Sequence, residues 1–178
     1  MRKACRKIVA MVIACILFTS LFTSTAYAAQ YIYYDGGLSS ATVDVENRLS
    51  YYGVFSYCIG KWNSMCTPVS ITQVPGSGHS YCIDGQYDDT WYGLYTPQNR
   101  QFVFWGRAGK FKIELNRSTL VNESDTCRKS VLVHEFGHAF CLADNPSSGN
   151  SSIMNYDRNR NYLTWPTNND IAGVNNAY

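Results

Sequence analysis

The stretch "VLVHEFGHAFCLADNP" (residues 131–146) decides what kind of domain this chain can form. It places His134 and His138 four residues apart, with Glu135 directly after the first histidine. On an α-helix, residues with this spacing lie one turn apart, with about 5 to 6 Å between their Cβ atoms. Both imidazoles can then bind one zinc ion, while Glu135 points to the side and can take a proton from water. The stretch therefore predicts a metal-binding helix of a hydrolase.

A hydrolytic zinc site normally has a third protein ligand, and the sequence restricts its identity. A glutamate on a later helix is excluded, because no glutamate follows Glu135. The one other histidine, His79, lies upstream in "PGSGHS", where we expect an ordinary turn residue. The downstream carboxylates are those of Asp144, Asp157 and Asp170. Of these, Asp144 stands six residues after His138, where a chain that turns sharply at the helix end can return a side chain to the ion.

Residues 127–178 resemble the metzincin zinc peptidases. Their motif is HExxHxxGxxH or HExxHxxGxxD, followed by a methionine turn. "HEFGHAFCLAD" matches the motif at His134, Glu135, His138 and Asp144. "SIMNYD" (residues 152–157) is similar to the methionine turn, and Met154 would be the structural floor of the site. The resemblance implies zinc as cofactor, with Asp144 as the third ligand. The alternative role for Asp144 is a solvated loop residue in an "Asp-Asn-Pro" turn.

Two finer resemblances concern the same region. "HEFGHAF" followed by "NNDIAGVNNAY" is similar to the matrixin active-site helix and its closing helix, and an aspartate ligand resembles snapalysin-like enzymes. "Met-x-Tyr" at Met154 and Tyr156 resembles astacins and serralysins, whose tyrosine assists the transition state. The resemblance implies that Glu135 is the general base and that Tyr156 is a catalytic hydrogen-bond donor. With 14 tyrosines in the chain, core packing is the other interpretation of Tyr156.

The chain departs from the metzincin pattern at Cys141, where the motif has glycine. A cysteine in the left-handed conformation costs on the order of 1 to 2 kcal/mol. We expect a disulfide to hold it, and the alternative is a thiolate that binds the ion. The cysteine-switch segment and the histidines of a second zinc site are missing from the sequence. "DGQYDD" (residues 84–89) can offer oxygen ligands to a calcium ion, although a polar turn is the other interpretation.

The first 28 residues are typical of a secretory signal peptide. They combine a basic start, an apolar segment and "AYA" before a cleavage site after Ala28. The alternative is an uncleaved membrane anchor. Removal of four basic residues leaves 15 − 4 = 11 basic against 13 acidic side chains, a net charge of −2. We therefore expect a secreted, monomeric domain over residues 29–178 that binds neither nucleic acid nor membrane.

Five cysteines remain after the signal peptide. They are Cys58, Cys66, Cys82, Cys127 and Cys141. Because an exported protein meets an oxidising environment, we expect disulfides. The odd number leaves one cysteine over, and the sequence does not select among the pairings.

The pattern of apolar residues predicts an α/β (α+β) metzincin-like catalytic domain. We expect an upstream helix over residues 45–62, an active-site helix over 123–140 started by Asp125 or Thr126, and a C-terminal helix over 168–178. Short β-rich runs predict a twisted mixed sheet of about five strands, at 69–74, 80–85, 90–96, 101–106 and 110–116. The helix face of Leu132, Phe136, Ala139 and Phe140 would pack on that sheet. We expect an edge strand within "DTWYGLYTP" or "QFVFWGR" to bind an extended substrate.

Three functions agree with these residues. The first is a secreted zinc endopeptidase that acts on peptide or protein substrates. The second keeps the zinc site and hydrolyses another amide, such as a cell-wall peptide. The third is a non-enzymatic exported binding domain that uses the metal for stability. Glu135 argues against the third, because a structural zinc site is closed by four ligands and needs no base.

Overall fold

A computed structural model of the chain describes residues 31–100 and 106–178. Five strands form one sheet: β1 Thr42–Arg48, β2 Ser70–Gln73, β3 Ser80–Gly85, β4 Gly93–Arg100 and β5 Ala108–Asn116. They lie in the order β2-β1-β3-β5-β4. The neighbours are parallel except for β4, which runs antiparallel to β5 at one edge of the sheet. The predicted mixed sheet of about five strands is confirmed.

The helices follow the predicted order in outline. They are α1 Val54–Asn63, α2 Arg117–Leu120, α3 Asp125–Ala139 and α4 Asn168–Ala177, and a 3₁₀ helix covers Pro146–Ser151. The mixed α/β architecture is consistent with a metzincin-like α+β domain. Within residues 31–100 and 106–178, no helix combines the length and apolar character needed to cross a membrane. The predicted signal peptide lies outside the described residues.

The predicted helix over residues 45–62 is wrong in its first part, which forms β1. Val43 and Val45 are buried while Thr42 and Asp44 are exposed, the two-residue alternation of a half-buried strand. The helix begins only after Gly53, whose φ of 74° reverses the chain. The aromatic spacing that predicted the helix therefore holds only in α1.

Three of the predicted strands lie where the sequence places them, and two need comment. Strands β2, β3 and β5 confirm the predictions over residues 69–74, 80–85 and 110–116. Strand β4 begins three residues later than predicted, at Gly93, and continues to Arg100. The predicted strand over 101–106 lies almost wholly outside the described residues. The edge strand expected within "DTWYGLYTP" is therefore β4.

Helix α3 begins at Asp125, one residue earlier than it would if Asp125 were the N-cap. Its N-cap is Ser124, whose side chain accepts a hydrogen bond from Cys127 N. Asp125 instead occupies the first turn, where its negative charge interacts favourably with the positive end of the helix dipole. Ser124 was missed because it is followed by two further residues that also make good caps.

The apolar face of α3 packs as predicted. Its four members are fully buried: Leu132, Phe136, Ala139 and Phe140. The Phe136 ring lies 5.6 Å from the Phe111 ring of β5, and the Phe140 ring lies 5.2 Å from the Trp62 ring of α1. Helix α3 is thus fixed between the sheet and α1, which holds its opposite face toward the site.

The C-terminal helix α4 anchors the methionine turn. Asp170 is buried and accepts hydrogen bonds from Ser152 Oγ (2.5 Å), Ile153 N (2.9 Å) and Thr167 N (2.7 Å). Thr167 caps the helix, and Asp170 completes a reciprocal capping box. Asp170 therefore serves the fold and does not approach the metal ligands.

The expectation of disulfides is wrong for this structure. All five cysteines in the described residues are free, and Cys66 is the exposed one. Cys58 and Cys82 are fully buried in the core. They act there as small apolar side chains, and burial raises the pKa of both thiols.

Candidate metal centre

The end of α3 turns the chain back toward the two histidines. Leu142 N donates to Gly137 O (2.9 Å) and Cys141 N donates to His138 O (3.1 Å), the two hydrogen bonds of a Schellman motif. Cys141 has the left-handed conformation that this motif requires, with φ of 68°. The reversal delivers Asp144 to the histidine face of the helix.

Cys141 neither forms the expected disulfide nor joins the metal ligands. Its Sγ atom lies 3.5 Å from Leu38 O and 3.4 Å from Tyr178 Oη, on the inner side of the turn. Gly37 packs so closely that a Cβ atom there would lie 2.5 Å from that sulfur. The buried contacts with Leu38, Tyr178 and Gly37 fill the role that the disulfide was expected to have.

The N-terminal segment also holds the turn. Tyr34 N donates to Cys141 O (2.8 Å), and Ala143 N donates to Ile32 O (2.7 Å). The Tyr34 ring lies 5.5 Å from the His138 ring. These contacts fix the backbone on both sides of the reversal. They therefore fix the position of the Asp144 backbone, from which its side chain extends.

The structure brings His134, His138 and Asp144 together. Asp144 Oδ1 lies 3.2 Å from His134 Nε2 and 3.9 Å from His138 Nε2, and the three donor atoms lie within 4.8 Å of one another. Ligand atoms around a tetrahedral zinc ion at 2.0 to 2.1 Å lie roughly 3.3 Å apart. Among the described residues this is the one group of three or more His, Cys, Asp or Glu side chains that can hold a metal ion.

Backbone carbonyls orient both imidazoles. His134 Nδ1 lies 2.9 Å from Ile153 O, and His138 Nδ1 lies 2.8 Å from Leu142 O. A carbonyl oxygen can only accept, so each Nδ1 carries the hydrogen and each Nε2 presents its lone pair. Burial, with the neighbouring His134, lowers the pKa of His138 and favours the neutral form that binds metal. The residues present therefore fit a zinc ion.

The carboxyl group of Asp144 is held in its charged form. Burial alone would raise its pKa, but in the metal-free protein the hydrogen bond from a protonated His134 and the positive charges of His134, His138 and Arg158 outweigh this. The net effect lowers the pKa of Asp144 below its ordinary value. Asp144 is thus anionic at neutral pH and can offer a charged oxygen to a metal ion.

Glu135 lies beside this group and under the edge strand. Its side chain is buried, and a Cβ atom at Gly93 of β4 would lie 2.7 Å from Glu135 Oε1. A cleft of about 450 Å³ opens over Glu135 and the three candidate ligands. Four aromatic residues line the cleft: Tyr34, Trp91, Tyr95 and Tyr156. The glycine lets β4 approach the carboxylate directly.

Met154 packs against α3 between the two histidines. It is buried, and a Cβ atom at Gly137 would lie 2.2 Å from its Sδ atom. The glycine between the two histidines therefore allows the helix to rest on the methionine.

We expect Gly137→Ala to destabilise the protein by about 1 to 3 kcal/mol, because the added methyl group overpacks the contact with Met154. The free energy of unfolding from urea titration measures the effect. Gly60→Ala is the matched control: Gly60 is also helical, nothing lies within 4 Å of its Cβ position, and alanine there should stabilise α1 by about 0.5 to 1 kcal/mol. Equal stability of Gly137→Ala and the wild type would contradict this packing.

Tyr156 lies at the mouth of the cleft. Its side chain is half exposed, and its ring lies 6.5 Å from the His134 ring. A core-packing residue would be buried, so this position favours a role at the cleft surface. The structure thus places the Tyr156 ring near the histidines, and its catalytic role stays a prediction.

Two arginines at the site were missed by the sequence analysis. Arg158 is buried beneath His134, and it donates from Nε to Ser130 Oγ (3.1 Å), from Nη2 to Ser130 O (3.0 Å) and from Nη1 to Asn155 O (2.9 Å). Burial, helped by the charge of Arg160, lowers the pKa of Arg158 to about 10, so it stays charged at neutral pH. Arg158 ties α3 to the methionine turn. Its only sequence signal is a pair of basic residues after "SIMNYD".

The remaining predicted positions lie apart from the centre. His79 is an exposed turn residue, as expected. In "DGQYDD", Asp84 accepts a hydrogen bond from Ser50 Oγ (2.8 Å) and pairs with Arg117 at 3.3 Å. The segment does not bring three carboxylates together, so it fits the polar-turn interpretation better than a calcium site.

Comparison with known proteins gives matches at the level of structure alone. No protein-family profile and no curated protein matches the chain. Among solved structures, the GM1-bound form of the ECX AB5 holotoxin matches with a TM-score of 0.54 and 15% identity, over 83% of this chain and 86% of that chain. Two structures of myroilysin match with TM-scores of 0.41, at 15% and 14% identity, over 64% and 66% of this chain.

Of these likenesses, the one to the holotoxin chain bears on the fold. The chain spans about half the length of myroilysin, 54% and 52% in the two structures. At 15% identity, the likeness to the holotoxin chain indicates a shared architecture and says nothing about activity. Function must therefore be argued from the residues of the site.

Proposed function

We propose that this chain is a secreted zinc endopeptidase. The observation that carries the proposal is a three-ligand group, His134, His138 and Asp144, that opens into a cleft beside the buried carboxylate of Glu135. A structural zinc site is closed by four protein ligands, whereas a catalytic site keeps one position open. A group of three ligands with a neighbouring base is the arrangement of hydrolysis.

The chain's own residues supply the proton transfers. A zinc ion on the three ligands would supply Lewis acidity to the scissile carbonyl and to water. Glu135, as carboxylate, accepts the proton of the attacking water as the new C–O bond forms. The protonated Glu135 then delivers this proton to the leaving nitrogen as the C–N bond breaks. The carboxylate is regenerated, so one water is consumed for each bond cleaved.

Strand β4 provides the binding surface for an extended substrate. It lies at the sheet edge, pairs with β5 on one side and contacts α3 through Gly93. A peptide that adds to this edge places its backbone over Glu135 and the ligands, with side chains alternating toward the cleft and away. Export after cleavage at Ala28 belongs to the same proposal, because an extracellular peptidase needs a signal peptide.

Tyr156 would donate a hydrogen bond to the oxyanion that forms during the reaction. We expect Tyr156→Phe to lower kcat by about 10²-fold with little change in KM, since the bond exists only in the transition state. Steady-state kinetics on one peptide measures the effect. Tyr52→Phe is the control, because Tyr52 is almost fully exposed and outside the cleft. An unchanged kcat would remove Tyr156 from the mechanism.

Digestion of an unfolded protein tests the activity and the substrate class. Casein is incubated with purified residues 29–178 and zinc, and the products are identified by mass spectrometry. Cleavage at internal peptide bonds, abolished by a chelator, is the expected result. If casein stays intact while cell-wall peptides or simple amides are hydrolysed, the endopeptidase proposal is wrong and the amidase alternative replaces it.

A further inference from the structure

A small side cavity opens from the cleft next to Glu135. It has a volume of about 20 Å³, and it shares Gly93, His134, Glu135 and Tyr156 with the cleft. Its other walls include Tyr92, Val131, Arg158 and Arg160. A cavity of this volume holds about one water-sized group. Its place beside the base means that a substrate residue adjacent to the scissile bond would reach it.

Arg160 is held at this cavity without a carboxylate partner. Its guanidinium lies over the Tyr92 ring (5.1 Å) and the Tyr156 ring (5.2 Å), and Nη2 donates to Tyr156 O (2.8 Å). No aspartate or glutamate in the described residues forms an ion pair with it. Glu123, the acid nearest to Tyr92, accepts the hydrogen bond of the Tyr92 hydroxyl instead. These contacts therefore hold the Arg160 guanidinium at the cavity, and no ion pair within the described residues neutralises its charge.

Arg158 adds a second positive charge to the same cavity. Its hydrogen-bond partners are neutral: Ser130 and Asn155. Glu135 and Asp144 supply two negative charges near the two guanidinium groups, and a bound metal ion would add two positive charges, which makes the occupied site net positive. The cavity therefore attracts an anion and disfavours a cation.

We propose that Arg160 determines specificity, by selecting an acidic side chain in the substrate residue adjacent to the scissile bond. The inference rests on the proposed endopeptidase function. A carboxylate can accept two parallel hydrogen bonds from a guanidinium, which a neutral amide of the same shape cannot match. The small cavity has room for about one carboxylate oxygen at the end of a short acidic side chain, and it excludes a large apolar side chain.

The competing role for Arg160 is to hold Tyr156 in place without touching the substrate. That role would change turnover for all substrates alike. A ratio of rates between two substrates separates the roles, because uniform effects cancel.

The test uses quenched-fluorescence peptides built on a cleavage site found in casein. One flanking residue of the cleaved bond is varied as Asp, Asn or Lys, on each side in turn. For one side, we expect kcat/KM for the Asp peptide to exceed that for the Asn peptide by at least about tenfold. Arg160→Gln should bring this ratio to within about threefold of unity, and Arg160→Glu should favour Lys over Asp. The Asp preference of the wild type should weaken at high salt.

Lys61→Gln is the matched control for loss of one positive charge. Lys61 lies on α1, where its ammonium is 5.3 Å from the Tyr57 ring, outside both cavities. The Asp-to-Asn ratio should stay at the wild-type value. If Arg160→Gln fails to fold, Arg160→Lys, which keeps the charge but loses the bidentate geometry, should lower the ratio part of the way.

A second readout is independent of turnover. Fluorescence anisotropy measures binding of the Asp and Asn peptides to Glu135→Ala, with and without Arg160→Gln, and tighter binding of the Asp peptide should require Arg160. Cleavage by the wild type without an Asp preference, or with a ratio that Arg160→Gln leaves intact, overturns the specificity proposal alone. No cleavage of any peptide or of casein overturns the proposed function and this inference together.

Discussion

We expect Glu135→Gln to lower kcat for peptide cleavage by about 10²- to 10⁴-fold, the range typical of a general acid–base residue. The amide keeps the shape of the side chain and its packing against Gly93 but cannot accept the proton of water. The Glu135 carboxylate is not among the three ligand atoms of the candidate site. Zinc should therefore bind to the variant as it does to the wild type.

Steady-state kinetics and zinc content are measured on the same preparations. Glu46→Gln is the control, because Glu46 lies on β1 and pairs with Arg48. It should keep the kcat of the wild type. A Glu135→Gln protein that binds zinc and cleaves peptides at the wild-type rate would remove Glu135 from the mechanism.

Asp144→Ala weakens zinc binding at least tenfold, the second large effect that we expect. Loss of a partner that merely orients a ligand typically costs 10- to 100-fold in metal affinity, and loss of a ligand should cost no less. Asp144→Asn keeps an oxygen ligand without the charge, so its affinity should lie between those of the wild type and the alanine variant.

Competition with a chromophoric chelator at fixed pH measures these zinc affinities. Asp157→Ala is the control, because Asp157 is an exposed carboxylate close to the methionine turn and outside the ligand group. Its zinc affinity should equal that of the wild type. Full zinc affinity in Asp144→Ala, or its loss in Asp157→Ala, would contradict Asp144 as the third ligand.

The histidine pair could be predicted from the sequence because its geometry is local. Four residues on a helix fix the placement of His134 and His138, whatever the rest of the chain does. The position of Asp144 could be predicted only from a family resemblance. Its return to the histidines depends on a residue in the left-handed conformation, which the sequence does not specify. In the structure that residue is Cys141, and the Schellman motif around it explains why the resemblance works without glycine.

Other features depend on contacts that are distant in the sequence. The second part of strand β1, residues 45–48, was assigned to a helix because its pairing with β3 could not be anticipated from its own residues. The hydrogen bonds of Arg158 to Ser130 join residues 28 positions apart, and no local sequence pattern predicts them. Disulfides were expected from export and cysteine number, but pairing needs a short distance between thiols, which only the fold determines.

Zinc titration of metal-free protein tests most directly the central claim that one zinc ion at His134, His138 and Asp144 drives peptide hydrolysis. Residues 29–178 are stripped of metal, zinc is added stepwise, and the rate of peptide cleavage is followed. We expect the rate to rise from zero and to level off at one zinc per chain. Cleavage in the metal-free protein, or zinc binding at one equivalent with no cleavage of any peptide, would contradict the claim.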